Sequence, residues 1–362
     1  MASERQIFKL SGPRHLTTVD WSDPDHSRCV AASLVQGVVV QERDRQENRQ
    51  GTDAQAEIWW SFFKFKLIQP LYDSADGSIF GSVYKWSKKA AGLSLRPAGA
   101  PKIVVAFRGT VKTRGSLARD LCHDLQILTN RLHTTARFHT AFEAVKTSVD
   151  KYGSENVWIA GHSLGAAMGI LAGRKMVEEK GLFVQAHLFN PPFISSPLEK
   201  INNEKIKRGL NFAGNLVKAG LAMVLQDKHA QIEAQRTFSV LHRWVPCLYV
   251  NAKDDLCSGY VGYFRNLTAM QQSGASDIVG LAPQQPIWVM VVSAFGKEAK
   301  AGHLIPSARL TVNLSPGSDF QAVHGIHQWW APDIRIECTE FRLGAEKTSG
   351  GLLTGQRKFA IA

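Results

Sequence analysis

The run Gly161-His162-Ser163-Leu164-Gly165 sets one serine midway between two glycines. A hydroxyl so placed can act as a nucleophile on a carbonyl carbon, provided the chain around it forms a strand, a sharp turn and a helix. The flanks have that character. Val157-Trp158-Ile159-Ala160 is a short apolar run, and Ala166-Ala167-Met168-Gly169 is a run of small residues suited to a helix. Side chains at positions 161 and 165 would collide with the neighbouring strand and helix, which is the physical reason for glycine there. An idle serine in a glycine-rich turn is the alternative.

A serine hydroxyl needs a base to take its proton and an acid to orient that base. In α/β-hydrolases these follow in the order serine, acid, histidine, each on a loop after a strand. Downstream of Ser163, the apolar run 244–250 leads into Asn251-Ala252-Lys253-Asp254-Asp255. Asp254 is therefore the expected acid, with Asp255 as the fallback. The histidines beyond that point are His303, His324 and His327. His327 is favoured as the base, because Gln328-Trp329-Trp330 follows it and could wall one side of the imidazole from water. His324 is the alternative, with Gly325 beside it to let the backbone turn. His162, inside the elbow, is expected to point away from the nucleophile. The oxyanion of a tetrahedral intermediate needs two preorganised donors. One is the backbone N–H of Leu164, the residue after the nucleophile. The other is expected from Phe107-Arg108-Gly109-Thr110, where Gly109 permits close approach, Thr110 offers both its N–H and its hydroxyl, and Arg108 is a buried ion-pair partner that holds the loop.

The elements that must carry these residues read as strands alternating with helices. Strands are expected at 78–86, 102–107, 157–160, 184–189, 244–250, 287–292 and 308–314, and a helix at 138–150. Ahead of them, 29–40 reads as a helix started by Ser22 or Asp23 with Pro24 in its first turn. A second helix is expected over 54–66, its Trp59, Trp60, Phe62 and Phe63 packing in the core. This alternation predicts a mostly parallel sheet covered by helices on both faces, the architecture of the α/β-hydrolase fold. The whole of 1–362 reads as one domain, with an N-terminal helical extension over 1–70. Residues 198–236 interrupt the pattern as a helical insertion with interspersed lysines, read as a cap helix or as a basic helix touching anionic lipid.

Composition narrows the classes of function. The net charge is +12 with a sequence pI near 9.5, but no basic block with interleaved aromatics suggests nucleic acid. Five scattered cysteines without a C-x-x-C spacing suit reduced thiols rather than zinc, and no metal or organic cofactor is expected. No apolar run reaches the length of a membrane span, and the first ten residues lack the apolar segment of a secretory signal. A cytoplasmic location is the default expectation, with peripheral contact to anionic membranes as an addition to it.

Taken together these residues resemble the class 3 (fungal-type) lipases. Val105-Ala106-Phe107-Arg108-Gly109-Thr110 is similar to that family's oxyanion strand, and Gly161 to Ala167 to its elbow, with Ala166 in place of a common glycine. Phe138-His139-Thr140-Ala141-Phe142 is similar to its helix start, with Ala141 where glycine is usual. Leu10-Ser11-Gly12-Pro13-Arg14-His15-Leu16, Asp44-Arg45-Gln46, Leu188-Phe189-Asn190-Pro191-Pro192 and His324-Gly325-Ile326-His327-Gln328-Trp329-Trp330 resemble a plant branch of α/β-hydrolases. Its members are often labelled "GDSL esterase/lipase", although no Gly-Asp-Ser-Leu block occurs in this chain. The resemblance implies a lid over 112–128, carrying Asp120 and Asp124. It also implies a serine hydrolase that cleaves carboxylic esters, and acyl lipids in particular. The second reading is a binding or receptor protein that keeps the fold without the turnover.

Overall fold

Strand residues 103 to 107 are buried throughout, and they divide between two cores. Val105 and Phe107 join one apolar cluster, while Val104 and Ala106 join another on the opposite side. That division follows from the two-residue period of a strand. The same alternation separates Ile159 from Trp158 and Leu188 from Phe189. A sheet buried on both faces has to be covered twice, and the helices do this.

The structure, a computed structural model, describes residues 2–92, 94–110, 132–193, 236, 238, 240–272 and 304–342. Its described strands form one sheet in chain order: β1 (Phe65–Tyr72), β2 (Ile79–Trp86), β3 (Ile103–Phe107), β4 (Val157–His162), β5 (Gln185–Phe189), β6 (Cys247–Asn251), β7 (Ser307–Asn313) and β8 (Ile336–Arg342). The pairs from β3 to β7 are parallel, and the outer pairs β1–β2, β2–β3 and β7–β8 are antiparallel. Helix α1 (Pro24–Gln46) lies on one face. Helices α2 (Ala136–Tyr152), α3 (Leu164–Lys180) and α4 (Gly259–Gln272) contribute to the core of the other. This is the α/β-hydrolase fold expected from the alternation of strands and helices. Among the described residues, no helix is long and apolar enough to cross a membrane.

Helix α1 starts where the sequence places its cap. The Asp23 side chain accepts from the Asp25 N–H at 2.7 Å, and Pro24 takes the first helical position, where its missing N–H costs nothing. From Cys29 to Val38 the helix is buried on all sides, packed between the sheet and the aromatic residues Trp59 and Trp60.

Two edges differ from expectation. The helix predicted over 54–66 is a single turn, Ile58–Ser61, after which the chain enters β1. The extension read as helical over 1–70 therefore ends in the sheet. Edge strand β8 has no counterpart among the predicted strands. Both edge strands are half-exposed; β8 alternates with charged residues and β1 interrupts Phe65, Leu67, Ile68, Leu71 and Tyr72 with Lys66, Gln69 and Pro70, so neither carries the continuous apolar run of the central strands. The strand expected at 287–292, the lid at 112–128, His303, and all but the last residue of the insertion at 198–236 lie outside the described residues.

Candidate active site

Strand β4 ends at His162 and helix α3 begins at Leu164, so a single residue, Ser163, makes the whole reversal. It does so at φ 55° and ψ −123°, a conformation that non-glycine residues adopt at a cost of about 1–3 kcal/mol. The surrounding backbone enforces it. The Ser163 N–H donates to the Phe189 carbonyl at 2.9 Å, while the N–H groups of Ala166 and Ala167 donate to the Ser163 carbonyl. A Cβ on Gly161 would run into the backbone of Gly165 and Ala166, and one on Gly165 into the carbonyls of Phe107 and Arg108. The glycines thus let strand, helix and the end of β3 meet at backbone contact, and Ser163 is held above the helix N-terminus.

His324 Nε2 is 3.0 Å from Ser163 Oγ, and His324 Nδ1 is 2.8 Å from Asp254 Oδ2. All three side chains are buried, with exposures of 4%, 6% and 0% for Ser163, His324 and Asp254. The carboxylate accepts only, so Nδ1 of the neutral imidazole carries the proton and Nε2 is free to accept from the serine hydroxyl. Burial pushes the Asp254 pKa up, but hydrogen bonds from His324, Asn190 and Cys257 outweigh this and hold it below the ordinary carboxylate value. The ring of Phe320 stacks on His324 at a centroid distance of 4.8 Å.

The favoured histidine of the sequence reading is not in this cluster. His327 lies on the following 3-10 turn, Ile326–Trp330, with its Nε2 donating to the Arg5 carbonyl at 3.2 Å. The short helix Phe320–His324 stops at Gly325, which breaks the helical register that would have put both rings on one face. His324 then turns to the serine and His327 to the N-terminal segment. Trp330 does lie against the His327 ring, at a centroid distance of 5.1 Å, and packs on Trp59 as well, while Trp329 is buried against Phe189 and Tyr249. Asp254 occupies the position expected of the acid, and Asp255 beside it is exposed and outside the cluster.

The β3 loop approaches the serine directly. A Cβ built on Gly109 would lie 2.9 Å from Ser163 Cβ and 3.1 Å from the His162 carbonyl oxygen. Arg108 is buried, its guanidinium donating to the carbonyls of Ile79 (2.6 Å) and Gly109 (2.7 Å), and burial lowers its pKa to about 10. Fixing the Gly109 carbonyl also fixes the plane of the Gly109–Thr110 peptide, whose N–H points opposite to the C=O. Leu164 is the first residue of α3, so its N–H has no acceptor within the helix.

Three residues that the sequence reading gave no catalytic part bear on the cluster. Asn190, fully buried at the end of β5, contacts Asp254. Cys257 Sγ is 3.1 Å from Asp254 Oδ2, and burial raises its pKa far above the ordinary thiol value, so it is a neutral donor. Gln328 donates to the carbonyls of Val323 (2.7 Å) and Gly325 (3.0 Å) and accepts from Asn251 and Asn313 at the ends of β6 and β7. The one sequence signal was an asparagine ahead of two prolines at a strand end, a turn signal without a chemical one. Among the described residues no group of histidine, cysteine, aspartate and glutamate has the arrangement of a metal site.

The profile of the family described as Lipase (class 3) matches residues 104–194. A protein of Arabidopsis thaliana named GDSL esterase/lipase is 44% identical over 348 residues, covering 93% of this chain and 98% of that protein. Among solved structures, a deletion mutant of a Rhizomucor miehei lipase in a propeptide complex aligns with a TM-score of 0.33 at 13% identity. That alignment covers 64% of this chain and 60% of the lipase.

Proposed function

Since this chain belongs to the class 3 lipase family and is a carboxylic ester hydrolase, we propose that it cleaves acyl-lipid esters through a Ser163–His324–Asp254 triad and a covalent acyl-enzyme. Ser163 Oγ attacks the ester carbonyl while its proton passes to His324 Nε2. The resulting imidazolium is stabilised by Asp254, which keeps Nδ1 protonated throughout. The oxyanion of the tetrahedral intermediate is met by the N–H of Leu164 and by Thr110, each donor lowering the barrier by about 3–4 kcal/mol. Collapse of the intermediate expels the alkoxide, which takes the proton from His324 Nε2. Water then attacks the acyl-enzyme by the same route in reverse, with His324 as base, releasing the carboxylic acid and free serine.

The observation that carries this reading is His324 within hydrogen-bond reach of both Ser163 and Asp254, one ring nitrogen facing each. The family name supports acyl lipid as the substrate class. Turnover of p-nitrophenyl esters of rising chain length, compared between the wild type and Ser163→Ala, tests it together with fluorophosphonate labelling and peptide mapping. The expected result is labelling at Ser163, lost with turnover in the variant, and a preference for longer acyl chains. Labelling that persists in Ser163→Ala would move the nucleophile elsewhere. Binding of esters without turnover by the wild type would make the chain a binding protein on a hydrolase fold.

A further inference from the structure

We infer that Asn190 is the positioning residue of the triad, its carboxamide holding Asp254 and the chain entering His324 in one fixed relation. The inference rests on the triad reading above. Asn190 Nδ2 is 2.7 Å from Asp254 Oδ2 and 3.1 Å from the Val323 carbonyl oxygen, while its Oδ1 accepts from Trp329 Nε1–H at 2.7 Å. The orientation of the amide is fixed three times over. An indole N–H only donates, and a carboxylate and a peptide carbonyl only accept, so Oδ1 has to face Trp329 and Nδ2 the other two.

The backbone is equally specific. Asn190 sits at φ 46°, in the left-handed region that asparagine tolerates better than other non-glycine residues, and its N–H donates to the Tyr249 carbonyl at 2.7 Å. Its side chain therefore leaves the end of β5, reaches across the start of the Asp254 loop, and touches the residue immediately before His324. One residue joins the acid and the base. Asp254 Oδ2 receives Asn190 beside the very proton of His324 that it must hold, and Cys257 adds a third donor to the same oxygen. The Asp254 carboxylate is wholly buried, so it depends on these donors for its charge. Among the described residues, the titratable groups that act on it most are His324 and the neutral thiol of Cys257, with the neutral His162 beside His324, and of these His324 is the one that can supply a full positive charge.

Two variants separate positioning from mere packing. Asn190→Gly keeps the left-handed backbone but removes the carboxamide. Asn190→Asp keeps size and shape but turns a donor on Asp254 into a second acceptor, and two carboxylates in contact raise each other's pKa. With a p-nitrophenyl ester, Asn190→Gly is expected to lower kcat by about 10–100-fold with KM changed less than threefold, the scale seen for outer partners of metal ligands. Asn190→Asp should in addition move the acid limb of the kcat/KM profile to higher pH, and Trp329→Phe, which frees the amide to rotate, should show a smaller loss of kcat. Fluorophosphonate labelling of Ser163 in the wild type, run alongside, keeps the two readings apart. If the wild type fails to label, the triad falls and Asn190 with it. If the wild type labels and Asn190→Gly keeps wild-type kcat and pH profile, only the role of Asn190 falls. Failure of both Asn190 variants to fold would make the residue a structural support and also overturn the proposal.

Discussion

His162 Nε2 donates to the backbone carbonyl of His324 at 2.7 Å, so the residue before Ser163 anchors the main chain of the residue whose ring meets the serine hydroxyl. The two rings are 5.0 Å apart, and burial together with His324 lowers the His162 pKa to about 3, leaving it neutral. His162 is thus tied to the residue whose ring meets the Ser163 hydroxyl. Replacing it with leucine leaves the His324 carbonyl short of a donor. We expect a stability loss of about 1–3 kcal/mol and a fall in kcat, read by urea unfolding and ester turnover. A variant with wild-type stability and rate would show that the bond carries nothing.

The two histidines of the following turn should separate cleanly in kinetics. His324→Ala is expected to lower kcat by on the order of 10⁴ or more, as removal of a triad base does. His327→Ala loses a bond to the Arg5 carbonyl and should stay within about tenfold of the wild type. The reverse ranking would return the base to His327.

Gly109 is a steric gate on Ser163. In Gly109→Ala the new methyl meets Ser163 Cβ and the His162 carbonyl, at distances that one of them must relieve by moving. Overpacking of this kind costs about 1–3 kcal/mol. The displaced atom being the nucleophile's own carbon, kcat should fall more steeply than stability. Equal losses in kcat and in unfolding free energy would contradict this.

Acid should destabilise the fold through histidines that burial keeps neutral. His162 and His187 have pKa values lowered to about 3, and His327 to about 4, in each case chiefly by burial. In the unfolded chain each returns toward about 6.5, so between roughly pH 6.5 and 4 the unfolded state binds more protons. Stability therefore falls as pH drops through that window. Asp254, whose folded pKa is lowered, adds a loss of the same sign below it. Urea midpoints measured from pH 7.5 to 4.5 should decline steadily, and a flat series would refute the assignment of neutral buried histidines.

The net charge of +12 bears on which surfaces attract the protein. The lysines of 198–236 are expected to promote adsorption to anionic vesicles. Co-sedimentation should weaken as salt rises, since exposed charges are screened within about 8 Å at physiological ionic strength. Adsorption indifferent to lipid charge and to salt would rule this out.

What the sequence determined was local in its physics. Five residues, Gly161 to Gly165, dictate the elbow, because the clash that demands glycine and the strain that lifts Ser163 arise within one turn of chain and the strand beside it. The central strands were legible for a similar reason: buried on both faces, 103–107 and 157–160 have to be apolar throughout. Asp254 was legible from its place just past such a strand. The edge strands β1 and β8 were not, since a half-exposed strand carries no run of apolar residues to mark it. The choice between His324 and His327 could be made only by tertiary structure. They are three residues apart with similar neighbours, and what parts them is contact with distant chain: Asn190 and Gln328 on the Val323 carbonyl, His162 on that of His324, and the Arg5 carbonyl reaching His327 from the other end of the molecule. Asn190 was hidden for the same reason. Its side-chain partners Asp254, Cys257, Val323 and Trp329 lie 64, 67, 133 and 139 residues away, and only folding brings them to one amide.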